Sequence, residues 1–204
     1  VTKILKAKLS RCRRLGADVF GTAKNPVHKR NYPKGQHGSA GFARTSDYAK
    51  QLRFKQMLRL FYGNIRERQF RTIFKKAFKR KGDTIDNFIG LLESRLDAFV
   101  LRAKFASTIF AAKQLISHGH ILVNGRRVNI KSYVLRPGDV VEVRQKSKQI
   151  LPVLTAISEQ GSVPDYIEAD HAKMTAKFLR VPEFQEVSYG CEMEPQLVVE
   201  FYSR

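Results

Sequence analysis

The chain predicts an α+β fold, an α-rich front followed by a small module of two helices and an antiparallel sheet, and three observations carry that prediction. Apolar side chains recur at helical spacing through residues 46–92, again at Leu92, Leu96, Phe99 and Val100, and again at Ala111, Ala112, Leu115 and Ile116. From His120 to Val123 the period shortens to two, and Asn124-Gly125 follows, the dipeptide that best tolerates positive φ at both central positions of a tight hairpin turn. Charge is divided along the chain: residues 1–90 hold 23 basic and 5 acidic side chains, residues 91–148 hold 11 and 4, and residues 149–204 hold 4 and 9.

At 204 residues the chain can bury a real core, and one to two domains are expected. Its 38 Lys and Arg against 18 Asp and Glu give a formal net charge of +20, a field that suits a polyanion, so nucleic acid is the first partner expected. The acidic end is better suited to the core or to a basic protein neighbour. Cys12 and Cys191 lie far apart with no C-x-x-C, which fits a reducing compartment and gives no disulfide framework and no metal site. No apolar run reaches the length of a membrane span.

Residues 1–45 show little periodicity and many breakers, among them Gly16, Gly21, Pro26, Pro33, Gly35 and Gly38, and read as a basic, loop-rich extension that orders against a partner. Gly35-Gln36-His37-Gly38 has the spacing of a backbone-clamping G-x-x-G loop, with an ordinary surface turn as the alternative. Residues 46–92 form a basic helical domain. Ser46 caps its first helix, in which Phe54, Met57, Leu58 and Phe61 face inward, Lys50, Arg53, Lys55 and Arg59 outward, and Gly63 stops it. A second helix buries Phe70, Ile73, Phe74, Ala77 and Phe78 and exposes Arg68, Arg71, Lys75, Lys76, Lys79 and Lys81. A short helix over 84–92 leads onward.

Residues 93–148 then read as an RNA-binding module. Its first helix leaves Arg95, Arg102 and Lys104 near the polar face; Ser107 or Thr108 caps the second, which turns Lys113, Gln114, Ser117 and His118 outward and stops at Gly119. The hairpin presents Arg126 and Arg127 at its tip, Pro137-Gly138-Asp139 makes another turn, and Val140 to Arg144 closes the unit as a strand. Residues 149–204 are predicted as a helix over Pro152–Glu159, paired short strands over Pro164–Asp170 and Thr175–Arg180, and a closing strand over Gln196–Tyr202.

No P-loop, G-x-S-x-G elbow, H-E-x-x-H or EF-hand pattern occurs, so no enzyme, cofactor, metal or small-molecule substrate is expected. The residues predicted to meet RNA are Arg53, Arg59, Arg66, Arg68, Arg71, Lys75, Lys113, His118, Arg126 and Arg127 through charge, with Gln36, His37, Ser107, Gln114 and Asn124 as polar contacts. Tyr48, Tyr62 and Phe70 are aromatic candidates for stacking on bases, core packing being the alternative for Phe70.

The succession from Glu93 to Arg144 closely resembles the S4 RNA-binding domain, and the chain as a whole resembles the bacterial-type small-subunit ribosomal protein S4 family. The resemblance is carried by Pro33 to Gly38, Ser46-Asp47-Tyr48, Glu67 to Arg71, Leu91 to Asp97, His118 to Asn129 and Val199 to Arg204. It implies that the tail packs back on the basic helices, so that one α-rich domain is interrupted by the inserted S4 module. It implies direct binding to small-subunit (16S-type) rRNA, nucleation of the subunit body, and contact with ribosomal protein S5, an interface tied to translational accuracy, for which the acidic Glu192, Glu194 and Glu200 are suited. In relatives the stretch after Q-H-G is often basic and faces the channel through which mRNA enters; here Ser39 to Ala43 is uncharged and only Arg44 follows. Some relatives carry a four-cysteine zinc site, of which Cys12 keeps one position while Leu9 stands three residues before it. Ser94-Arg95-Leu96-Asp97 resembles the R-L-D segment of pseudouridine synthases, but there the aspartate lies in a separate catalytic domain; here Asp97 is expected to pair with Arg95 or Arg102 or to cap a backbone. The basic first residues, Lys3 to Arg14, read as mature protein running into family-like sequence, and the location implied is a ribosome of the bacterial cytoplasm, with a mitochondrial or plastid ribosome as the alternative.

Overall fold

The computed structural model describes residues 8–30, 32–40, 46–159 and 161–203. Expectations that rest on Lys3, Lys6, Gly41, Phe42, Ala43 or Arg44 lie outside them. The chain divides into two units, Val1–Arg71 with Ser188–Arg204, and Thr72–Val187.

In the first unit, α1 (Lys8–Leu15) buries Cys12 and Leu15 and, with Val19, packs on Met57 and Leu60 of α2 (Asp47–Phe61). The segment expected to order only against a partner therefore supplies part of a core of its own. Its loop is fixed by Asp18, whose carboxylate accepts hydrogen bonds from the Phe20 and Gly21 N–H groups, from Asn25 Nδ2 at 2.6 Å and from the His28 ring at 2.8 Å. Ser46 caps α2 as its sequence position predicts, accepting from the Ala49 N–H. The chain end is α8 (Pro195–Ser203), a helix and not the expected strand, and it packs on α2. Val198 and Val199 suggested a strand, but Leu197, Val198, Phe201 and Tyr202 also share one helical face, and helix–helix packing decides between the two patterns.

A correction concerns Lys55. It faces inward: its ammonium lies 4.1 Å from the Phe201 ring centroid and 3.2 Å from Glu67 Oε1. Glu67 also takes Arg59 Nη1 at 2.7 Å and the Tyr202 hydroxyl at 2.6 Å, which ties α8 to the start of α3 (Glu67–Phe78). In α3 Phe70, Phe74 and Ala77 are buried, whereas Phe78, expected inside, is 64% exposed. Eight residues on from Phe70 the helix has turned roughly 80° past two full turns, off the buried stripe.

The second unit holds α4 (Thr84–Glu93), α5 (Leu96–Arg102), α6 (Ile109–Ser117) and a five-stranded antiparallel sheet. The expected first helix of the module begins three residues later than Glu93, because the chain kinks at Ser94-Arg95. The loop over residues 131–135 replaces the lost helical partners: Leu96 N–H donates to Tyr133 O, Asp97 N–H to Lys131 O, and Leu135 N–H to Ser94 O. Arg95, expected on a polar face, is thereby buried.

The sheet runs β2-β1-β3-β5-β4, with β1 (Ile121–Val123), β2 (Arg126–Arg127), β3 (Val140–Val143), β4 (Ile167–Asp170) and β5 (Thr175–Phe178). Asn124 and Gly125 take φ of 50° and 75°, the double positive-φ turn their types predict. After α7 (Leu151–Ser158), β5 pairs with β3, Val141 opposite Ala176, so residues 149–187 complete the module's sheet and only Ser188–Arg204 returns to the first unit. The strands are legible from alternation, but their partner is not: β3 has a free edge that β5 covers, bringing Tyr166, Ile167 and Phe178 into the core with Phe99, Ile116 and Val141.

Candidate nucleic-acid interface

The hairpin edge is built from the turn outward. Register pairs Leu122 with Arg127 and Val123 with Arg126, so β2 is a sheet edge that carries two exposed guanidinium groups. Asn124 is exposed, and its side chain is already engaged within the turn: its amide donates to Asp139 Oδ1 at 2.8 Å and accepts from the Val140 N–H at 2.9 Å, which fastens the turn to β3. Arg127 Nη2 donates to the carbonyl of His118 at 3.2 Å, and its guanidinium lies over Gly119, where a side chain would displace it. Gly119 thus serves twice, as the positive-φ stop of α6 at 73° and as room for Arg127.

Exposed Gln114, Ser117 and His118 adjoin that edge through α6, and Ser107 is exposed before it, while Thr108 supplies the cap by accepting the Ala111 N–H. His120 stands 5.9 Å from His118, ring to ring, and its Nδ1 is 2.8 Å from Ser147 Oγ. Burial pushes its pKa below the usual value, with His118, Arg127 and Arg144 adding to the effect.

Lys113 is withdrawn from this surface. Its ammonium lies 3.5 Å from Asp97 Oδ2, beside Arg95, which grips the same carboxylate at 2.9 and 2.7 Å. Arg95, Asp97 and Lys113 have side-chain exposures of 6%, 1% and 16%. The expected Asp97–Arg95 pair is therefore present, whereas Arg102 instead meets buried Glu93, which also accepts the Tyr166 hydroxyl. Burial lowers the Lys113 pKa to about 8, more than Asp97 restores. A folded-state pKa below the unfolded value means that the unfolded chain binds more protons from about pH 8 to 10.5, so stability rises with pH there and is lost as pH falls through the folded value. Lys113→Met is accordingly expected to be more stable than the parent at pH 7.5, with the difference shrinking by pH 10; urea midpoints at both pH values check it.

In the first unit Arg66, Arg68 and Arg71 are exposed, Arg53 is half-buried, and Arg59 is committed to Glu67 and to the carbonyl of Ile65 at 2.9 Å. Gln36 and His37 project from the turn closed by Gly38 N–H on Gly35 O at 3.0 Å. Arg13, which composition marked only as part of a basic tail, supports that segment: its guanidinium is 4.7 Å from the Tyr32 ring centroid and Nε donates to Tyr32 O at 3.0 Å. Tyr62 and Phe70 are buried and closed to bases, Tyr62 sharing a hydrogen bond with Tyr189; Tyr48 is 52% exposed beside Phe201. Glu192 and Glu194 are exposed, while Glu200 accepts from Gln51 Nε2 at 2.9 Å and so helps hold α8 on α2.

Along α3, exposed Arg68 and Arg71 are neighbours around the helix axis, about 60° apart. Lys75, with Lys76, Lys79, Arg80 and Lys81, is exposed in the second unit. Sequence reasoning left Arg80, Arg136, Lys146 and these neighbours outside its site; their signal was the run of cations itself.

Comparison with known proteins divides the chain after residue 93, within the second structural unit. A family model described as the Ribosomal protein S4/S9 N-terminal domain matches residues 3–93, and one described as the S4 domain matches residues 94–141. The small ribosomal subunit protein uS4 of Bartonella bacilliformis is 55% identical over 205 residues, covering 100% of both chains. That of Rhizobium meliloti is 58% identical over 193 residues, 94% of each, and that of Brucella ovis 57% identical over 205 residues, 100% of each. These relatives are ribosomal proteins and not enzymes, and Asp97, the one residue that resembled a catalytic aspartate, is sealed between Arg95 and Lys113. With full-length likeness at this level, the chain belongs to the uS4 family of small ribosomal subunit proteins.

Proposed function

We propose that this protein is a structural constituent of the small ribosomal subunit that binds 16S-type rRNA directly, nucleates assembly of the subunit body, and contributes to translational accuracy through contact with protein S5. The observation that carries the reading is the full-length likeness to proteins each named as small ribosomal subunit protein uS4. The exposed cations of the hairpin edge and of α3 supply the chemistry: they displace condensed counterions from phosphate and read the shape of A-form RNA, whose deep, narrow major groove hides its base edges. In this reading Arg66, Arg68, Arg71, Lys75, Arg126 and Arg127 contact phosphate, with Gln36, His37, Gln114 and His118 as polar contacts. Arg59 and Lys113 shape those surfaces from within, and exposed Asn124 fixes the hairpin turn.

Glu192 and Glu194 are the acidic groups offered to a basic neighbour such as S5, Glu200 serving the α2–α8 contact. Contact with mRNA near its point of entry would rest on Arg44 beyond the uncharged Ser39 to Ala43. The location that fits is the ribosome of a bacterial cytoplasm, with an organelle ribosome as the alternative.

The test is sedimentation of a lysate through a gradient at high salt. A core component held by many contacts stays with the small subunit. A protein that runs free at the top would instead be a transient RNA binder, and the assembly role would fall.

A further inference from the structure

Phe78 is the most exposed aromatic side chain among the described residues, at 64%, and it ends a helix whose other aromatic residues are buried. Covering that ring with a partner would remove apolar surface from water, a favourable step. Its setting is fixed. Phe74, 5% exposed, meets the Phe88 ring edge to face at 5.6 Å, and Phe78 stacks on Phe74 with centroids 6.3 Å apart and planes 27° from parallel.

The surroundings are cationic. Lys75, Lys76, Lys79, Arg80 and Lys81 are all exposed, and none of them forms an ion pair among the described residues. The nearest acids in the chain are engaged: Asp83 caps α4 through the Ile85 N–H, and Asp86 accepts the Phe184 N–H at 3.0 Å.

From this juxtaposition we propose that Phe78 is a stacking platform for one unpaired nucleobase of RNA, with phosphates of the same strand held by the surrounding lysines and Arg80. Single-stranded nucleic acid is recognised by just this pairing of an aromatic face with a basic track, since every base offers a π-face and every linkage a phosphate. A protein neighbour seated on Phe78 would have to strip water from five uncompensated cations, and a membrane surface would find one exposed ring where an apolar helix face is needed. The proposal rests on the RNA-binding reading above and adds a base contact to it.

The experiment uses the full chain and a transcript of small-subunit rRNA, with affinity measured across a salt series. Phe78→Leu keeps an apolar side chain but removes the π-face; it is expected to weaken binding about 5- to 100-fold while leaving the salt slope unchanged. Lys79→Ala, by contrast, lowers the slope. The chain has no tryptophan, so Phe78→Trp places a single reporter at the site; it is expected to bind as the parent does and to be quenched by the RNA. Equal urea midpoints for all variants exclude a folding defect. Parent-like affinity of Phe78→Leu, or an unquenched Trp in the bound state, would overturn the stacking role while leaving RNA binding intact. Were Phe78→Leu to bind RNA normally but fail to enter the subunit, the ring would belong to a protein contact and the proposal would likewise fall. Failure of the parent chain itself to bind the transcript would sink the RNA-binding reading first.

Discussion

Asp97→Ala is expected to destabilise the second unit by about 3–5 kcal/mol, the usual cost of removing one partner from a buried ion pair. Two cations are stranded by that change: Arg95, 6% exposed, holds the carboxylate through two hydrogen bonds, and Lys113, 16% exposed, lies 3.5 Å from it. Arg95 is held at the kink between α4 and α5, where its backbone is also bridged to Val134. Asp97→Asn, which keeps one oxygen to accept from Arg95 Nε and the Ala98 N–H while losing the acceptor for Arg95 Nη2, should lose less. The check is a urea titration of each variant with Asp97→Ala/Lys113→Met alongside. Partial recovery in the double variant is expected because one stranded charge is gone; a loss under about 1 kcal/mol in Asp97→Ala would mean that the cluster contributes little.

Arg126→Ala with Arg127→Ala is expected to weaken rRNA binding and to lower the dependence of log affinity on log salt by roughly one unit per lost phosphate contact. Both side chains are exposed on a sheet edge, and neither supports the core, so the fold should survive. The double substitution is the larger functional test because β1 and its turn hold the pair in a fixed position: Asn124 is bonded to both Asp139 and Val140, and Arg127 to His118 O. Filter binding over a range of salt, together with the urea midpoint, separates lost contacts from lost structure. An unchanged slope would remove the hairpin edge from the RNA surface.

Local chemistry made much of this molecule legible in advance. Ser46 and Thr108 cap helices because their hydroxyls accept the first free N–H groups; Asn124-Gly125 turns because both residues tolerate positive φ; the apolar stripe of α6 and the alternation of β1 point where period dictates. Family membership was legible from motifs spread along nearly the whole length. The misreadings share a cause. Lys55, Arg59, Arg95 and Lys113 were placed outside on charge alone, yet each is drawn inward by an acid: Glu67 for Lys55 and Arg59, and Asp97 for Lys113 as well as for Arg95, the pairing that the sequence did suggest. Val198 and Val199 suggested a strand until α2 offered a helix to pack on.

The sequence by itself determined the α+β class, the caps and turns, the basic balance that suits RNA, and the family. Tertiary structure alone decided that residues 149–187 finish the module's sheet, that the tail returns to α2 as a helix, and which cations are drawn into ion pairs. The physical reason is range: caps, turns and periodicity act within a few residues, whereas strand partners and the compensation of a buried charge are set by groups far away in the chain, as Glu67 is from Tyr202 and Glu93 from Tyr166.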